Sequence, residues 1–115
     1  MIQLSKYLLK EFTEDSGYVS IKFFRSNKAH GYIAWLTIMK NYLEGKESSV
    51  DDIVKITEKY SSRRSVVSFL DSGQKKGFLE KITSSNDKRK VVIIPTKISI
   101  VDFIDWGNKF KKSIR

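Results

Sequence analysis

The chain of 115 residues contains no cysteine, one histidine and one proline. Without cysteine there is no disulfide, no thiolate metal site and no cysteine nucleophile. With His30 as the sole histidine, histidine-rich metal sites are ruled out and most histidine-based catalysis is hard to assemble. No apolar run approaches the roughly 20 residues that a membrane-spanning helix needs, so an integral membrane protein is not expected. The opening residues MIQLSK carry no basic stretch followed by an apolar one, so export is not expected and a cytoplasmic location is. No phosphate-binding glycine loop, nucleophile triad or metal-ligand cluster occurs. The expectation is therefore a protein that is not an enzyme and takes no cofactor or metal.

What the chain does have is a core and a charge. Its residues are 40% hydrophobic and 12% aromatic, enough for one modest core and a single domain over 1–115. The 22 Lys and Arg outnumber the 13 Asp and Glu for a net charge of +9. The excess is uneven: residues 61–90 hold eight basic and three acidic side chains, whereas residues 1–60 hold nine and eight. A lopsided solvated face is one explanation. A polyanionic partner is the other, and the concentration of charge favours it.

Apolar residues at helical spacing predict a first helix over 2–12, ended by the polar stretch 13–17. Residues 18–24 (YVSIKFF) are β-rich and read as a short strand or an extended connector. Residues 29–43 read as a buried helix ending near Gly45. Ser48 and Ser49 followed by Asp51 and Asp52 form a helix start, because hydroxyls and carboxylates satisfy free amides and the helix dipole. That helix runs to about Tyr60 and buries Val50, Ile53, Val54 and Ile56. Ser61 and Ser62 cap the next one, which runs over 62–76 with Gly77 as its terminator. Residues 78–83 and 90–94 then read as two strands joined by the polar turn SSNDKR. Thr96 caps a last helix over 97–114, with a basic tail from Lys109 to Arg115.

Two short helices with a serine-capped turn, then a basic hairpin, make a winged helix-turn-helix. In such a module the second helix enters the major groove by its N-terminal half. Ser62, Arg63, Arg64, Ser65 and Ser68 supply the small polar and cationic side chains this requires. Arginine can pair bidentately with guanine, and serine can serve bases or phosphates. Val66, Phe69 and Leu70 fill the inward side. The hairpin tip, residues 84–90, brings Lys88, Arg89 and Lys90 to the backbone or minor groove. Asp87 among them either orients a cation or serves the turn.

Over residues 47–97 the chain resembles the MarR family of bacterial winged-helix transcription regulators. The segment SRRSVVSFLDSGQKKGFLE, residues 62–80, is similar to the family's recognition helix and the Lys-Gly-aliphatic strand start after it. The segment DKRKVVIIPT, residues 87–96, is similar to its wing motif: Asp87, Arg89 and Thr96 match and Lys88 is a basic replacement. Gly73 stands where the family has an aliphatic residue and Pro95 where it has leucine. The resemblance implies a mainly helical α+β fold, a winged helix-turn-helix core over 48–95 with flanking N- and C-terminal helices. It implies base reading by the 62–68 face and minor-groove insertion by Arg89. It also implies a homodimer through helices 2–12 and 97–114, which are short for the family. No motif defines a small-molecule effector.

The leading expectation is thus a sequence-specific double-stranded DNA-binding transcription regulator. A winged-helix adaptor that binds a protein is the alternative, since fold does not determine function. RNA binding is weaker, because the hairpin lacks an ordered aromatic platform. Lys75 and Lys76 are explained by the helix dipole, Tyr7, Trp35 and Trp106 by core or dimer packing, and His30 as a capping or surface residue.

Overall fold

The structure is a computed structural model that describes residues 1–13, 17–26 and 28–114, apart from the side chains of residues 12, 13, 28 and 29. Most of the expected stop after the first helix, and Arg115 of the basic tail, lie outside the described residues. The described elements are α1 (Ile2–Thr13), α2 (Val19–Ser26), α3 (Lys28–Leu43), α4 (Val50–Thr57), α5 (Arg63–Lys75), β1 (Leu79–Thr83), β2 (Val91–Pro95) and α6 (Lys97–Ser113). The architecture is the expected mainly helical α+β arrangement with one antiparallel hairpin.

The stretch 18–24, expected as a short strand or an extended connector, instead leads into a helix: Tyr18 precedes α2 and residues 19–24 lie in it. The burial pattern is helical, with Ser20, Ile21, Phe23 and Phe24 facing inward at steps of one, three and four. The start of this helix is capped from α6. Asp102 accepts hydrogen bonds from the Ser20 hydroxyl at 2.6 Å and the Ser20 amide at 3.4 Å. A carboxylate at a helix N-terminus satisfies free amides and opposes the dipole. The Tyr18 hydroxyl donates to Asp105, one turn further along α6.

Ile21, Phe24, Trp35, Ile38, Met39, Ile53, Val66, Phe69, Leu70, Leu79 and Ile93 form the core, drawn from α2 through β2. Phe23 and Phe24 anchor its aromatic part. Phe23 stacks on Phe69 at 5.2 Å between ring centres and Phe24 on Trp35 at 5.6 Å. Trp35 also meets Phe103 and Trp106 of α6 edge-on. Ile56, expected inside, is 47% exposed. Its neighbours Val50 and Val54 pack partly against the core and only Ile53 is sealed.

Helix α1 is held at a charged clasp. Glu11 pairs with Arg25 of α2 at 3.1 Å and accepts from the Trp106 indole N–H at 2.9 Å. The Tyr7 hydroxyl reaches the Trp106 carbonyl at 3.3 Å. Burial, with Glu11 close by, pushes the Tyr7 phenol up to about 12. No helix among the described residues is long and apolar enough to cross a membrane.

Candidate nucleic-acid interface

The two helices before the hairpin begin as their serines predict. The Ser49 hydroxyl accepts from the Asp52 amide and the Asp52 carboxylate accepts from the Ser49 amide, each at 3.1 Å. This reciprocal capping box starts α4. These bonds hold the Asp52 carboxyl below its ordinary range. The Ser62 hydroxyl accepts from the Ser65 amide at 3.2 Å and starts α5.

Helix α5 is sealed on one side and open on the other. Val66, Phe69, Leu70 and Gly73 are buried, while Arg63, Arg64, Ser65 and Ser68 are exposed. Gly73, the departure from the family's aliphatic residue, sits in close packing. A Cβ there would lie 2.8 Å from Leu79 Cδ1 and 3.3 Å from Phe23 Cε2. The helix stops at Gly77, whose φ of +82° is left-handed. The Phe78 amide bonds back to the Gly73 carbonyl at 2.9 Å and the Gly77 amide to that of Gln74 at 3.1 Å.

The open side has two shallow grooves. One is lined by Arg64, Val67, Ser68, Asp71, Ser72 and Lys75. The other adds His30 of α3 to Arg64, Ser65, Ser68 and Ser72. The His30 ring stands edge-on to Phe69 at 5.7 Å, which sets it beside the open face. Asp71, an acid on this cationic side, is paired with Lys81 of β1. Of the candidate arginines, Arg63 is paired with Asp51 of α4 at 2.7 Å, a largely exposed contact. Arg64 has no ion-pair partner among the described residues.

The hairpin pairs Leu79 with Pro95, Lys81 with Ile93 and Thr83 with Val91. Pro95 sits at the strand end, where no ladder donor is needed. The inner strand is extended by the residues before α4. Ser49 bridges Val92, and the Ile93 amide donates to the Ser48 carbonyl at 2.8 Å. At the tip Lys88, Arg89 and Lys90 are exposed. Both expected roles of Asp87 occur. Its carboxylate accepts from the Arg89 amide at 3.0 Å and lies 3.6 Å from the guanidinium Nε. Thr96 begins α6 but does not cap it through its side chain. Its hydroxyl donates to the Gly77 carbonyl at 2.7 Å, and the buried Ser99 hydroxyl donates to Phe78 at 2.7 Å.

Sequence reasoning missed three contributors: His30 and Ser72 beside the open face, and Glu47 beneath the hairpin loop. The period of α5 places Ser72 one turn beyond Ser68. Nothing local marks the other two.

No family model matches the chain, and no curated protein matches it in sequence. Solved structures do match in fold. The S. aureus MepR–DNA complex aligns with a TM-score of 0.59 at 12% identity, over 94% of this chain and 88% of that one. The heme sensor protein PefR from Streptococcus agalactiae, in complex with heme, aligns at 0.51 and 17% identity, over 98% and 77%. Lactococcus lactis ZitR aligns at 0.52 and 17% identity over 70% of this chain. The chain spans about half, 53%, of the ZitR chains it matches. These neighbours are MarR-family proteins. The chain has the winged-helix fold of the MarR-family regulators.

Proposed function

We propose that the protein is a cytoplasmic, sequence-specific double-stranded DNA-binding transcription regulator. The observation that carries this reading is the open face of α5, where Arg64, Ser65 and Ser68 are exposed on a helix whose other side is sealed into the core. In the reading, α5 lies in the major groove, with Ser62, Arg63, Arg64, Ser65 and Ser68 at bases and phosphates. Lys88, Arg89 and Lys90 take the backbone or minor groove. Ser62 and Arg63 contribute partly by organising the helix start, since one caps it and the other bonds Asp51. The DNA-bound MepR neighbour supports the choice of duplex DNA.

The active species is a homodimer through α1 and α6. Supporting this, Ile2 and Leu9 of α1 and Ile98, Val101 and Ile104 of α6 are 50% or more exposed. A second copy would cover them, and two-fold symmetry would then demand a two-fold operator.

Selection of bound sequences from a random duplex pool tests the proposal. An inverted repeat is the expected product, and absence of binding to any duplex at low salt would sink it. Arg64→Ala should relax base preference at one position per half-site by about 1–3 kcal/mol. Arg89→Ala should weaken all duplexes alike and lower the salt slope by about 1.

A further inference from the structure

We infer that Glu47 is the positioning residue of the hairpin loop, holding it in the form that presents Lys88, Arg89 and Lys90 to duplex DNA. The inference rests on the DNA-binding reading above. Glu47 lies in the connection between α3 and α4, far from the loop in sequence. Its Oε1 accepts from the Ser84 hydroxyl at 2.6 Å and from Asn86 Nδ2 at 3.4 Å, and its Oε2 from the Ser85 amide at 3.1 Å. One carboxylate thus gathers donors from three successive loop residues. Hydrogen bonds to an ionised acceptor are roughly twice as strong as neutral ones.

The contact is relayed to the cations. Ser84 is buried, and its oxygen accepts from the Asn86 amide at 3.1 Å and the Asp87 amide at 3.3 Å. Asp87 in turn accepts from the Arg89 amide. A bonded path therefore runs from Glu47 through Ser84 and Asp87 to Arg89. The loop is closed behind it, because the Ser84 amide donates to Lys90 and the Lys90 amide to Asp87. Those bonds lie within the hairpin itself. Among the described residues, the Glu47 carboxylate ties loop residues 84–86 to the connection that leads into α4.

An acid so close to a cationic tip would by itself repel phosphate. The Lys90 charge opposes it, and the donors fix where the carboxylate sits. The Ser84 hydroxyl, then the Ser85 and Asn86 groups and the Lys90 charge, hold the Glu47 carboxyl below its ordinary range, so it is ionised and bonded at neutral pH. The cationic residues keep the outer positions while the carboxylate faces inward to Ser84.

The test uses the full chain and a 40-base-pair duplex of mixed sequence, titrated across salt concentrations. Glu47→Ala should lower affinity roughly tenfold at low salt and flatten the salt slope by about 1. Glu47→Gln keeps an acceptor for the Ser85 amide and should recover part of the loss. The double variant Glu47→Ala with Arg89→Ala should lose less affinity than the sum of the two single losses, because part of the Glu47 effect runs through Arg89. In the free protein, amide exchange at residues 85–89 should speed up in Glu47→Ala, with the helical circular dichroism unchanged. Full additivity in the double variant, or undiminished binding by Glu47→Ala, would overturn the inference. A parent protein with no affinity for any duplex would instead overturn the DNA-binding reading, and this inference with it.

Discussion

At Gly73 two effects of opposite sign compete. Alanine there gains about 1 kcal/mol of helix propensity. It also drives a methyl group to within 2.8 Å of Leu79 Cδ1, and Leu79 is itself buried. Overpacking of a filled core costs about 1–3 kcal/mol. The overpacking should win, so Gly73→Ala should lower the thermal midpoint and Gly73→Val should lower it further. A rise in both would show that Leu79 rotates away freely. At Gly77 there is no clash but a left-handed φ, and Gly77→Ala should cost about 1–2 kcal/mol in chemical denaturation. The residue scale is also where the sequence was most legible. Ser49, Ser62 and Gly77 act through neighbours one to four residues away, so their roles can be read from a short window. Gly73 could not be read that way, because its reason is a leucine on the following strand and a phenylalanine on α2.

Elements whose starts are stabilised locally matched expectation in kind and place, although α4 ends at Thr57 rather than near Tyr60, and the one stabilised from a distance did not. The hairpin was legible because two apolar runs flank a polar turn. Helix α2 was not, because YVSIKFF favours a strand in isolation and its cap, Asp102, lies 82 residues away. Glu47 escaped for the same reason, its loop partners being 37 to 39 residues distant. Two elements carry their own test. Glu11 binds Arg25 of α2 and Trp106 of α6 at a site where both charged side chains are 15% exposed or less. Removing Glu11 takes a charged partner from Arg25 and an acceptor from the Trp106 indole. Glu11→Ala should therefore cost about 2 kcal/mol in denaturant unfolding and release α1 first. A loss below that of an ordinary exposed pair would mean the clasp is well solvated. Ser99→Ala should cost about 1 kcal/mol, since the Phe78 carbonyl keeps a bond from the Thr96 amide at 3.1 Å.

On the scale of the whole molecule, pH acts at both ends. The Asp52 carboxyl is depressed by its capping bonds and that of Asp105 by the Tyr18 hydroxyl. A carboxyl depressed in the folded state contributes stability that is complete above its unfolded value of about 4 and is lost as pH falls through the folded one. Tyr7 behaves in the opposite sense. Its folded value near 12 exceeds the ordinary 10, so its contribution is complete below about 10 and disappears as pH rises toward 12. Thermal melts should accordingly show a plateau near neutrality with shoulders below pH 4 and above pH 10. Tyr7→Phe should shrink the alkaline shoulder, to which the Tyr18 and Tyr32 phenols, also raised by burial, contribute, and leave the acid one. An unchanged alkaline shoulder in that variant would assign it to another group.

The hairpin has a further consequence for handling the protein. The residues before α4 bridge the inner strand, but β1 has no strand partner on its outer edge among the described residues. An open edge of this kind templates association with other chains. Here it is short and carries Glu80 and Lys81 side by side, both unfavourable in a growing intermolecular sheet. Lys81 thereby has two tasks, neutralising Asp71 and guarding the edge. Lys81→Val should increase light scattering in concentrated samples, through fibril-like self-association, well before it changes the melting temperature.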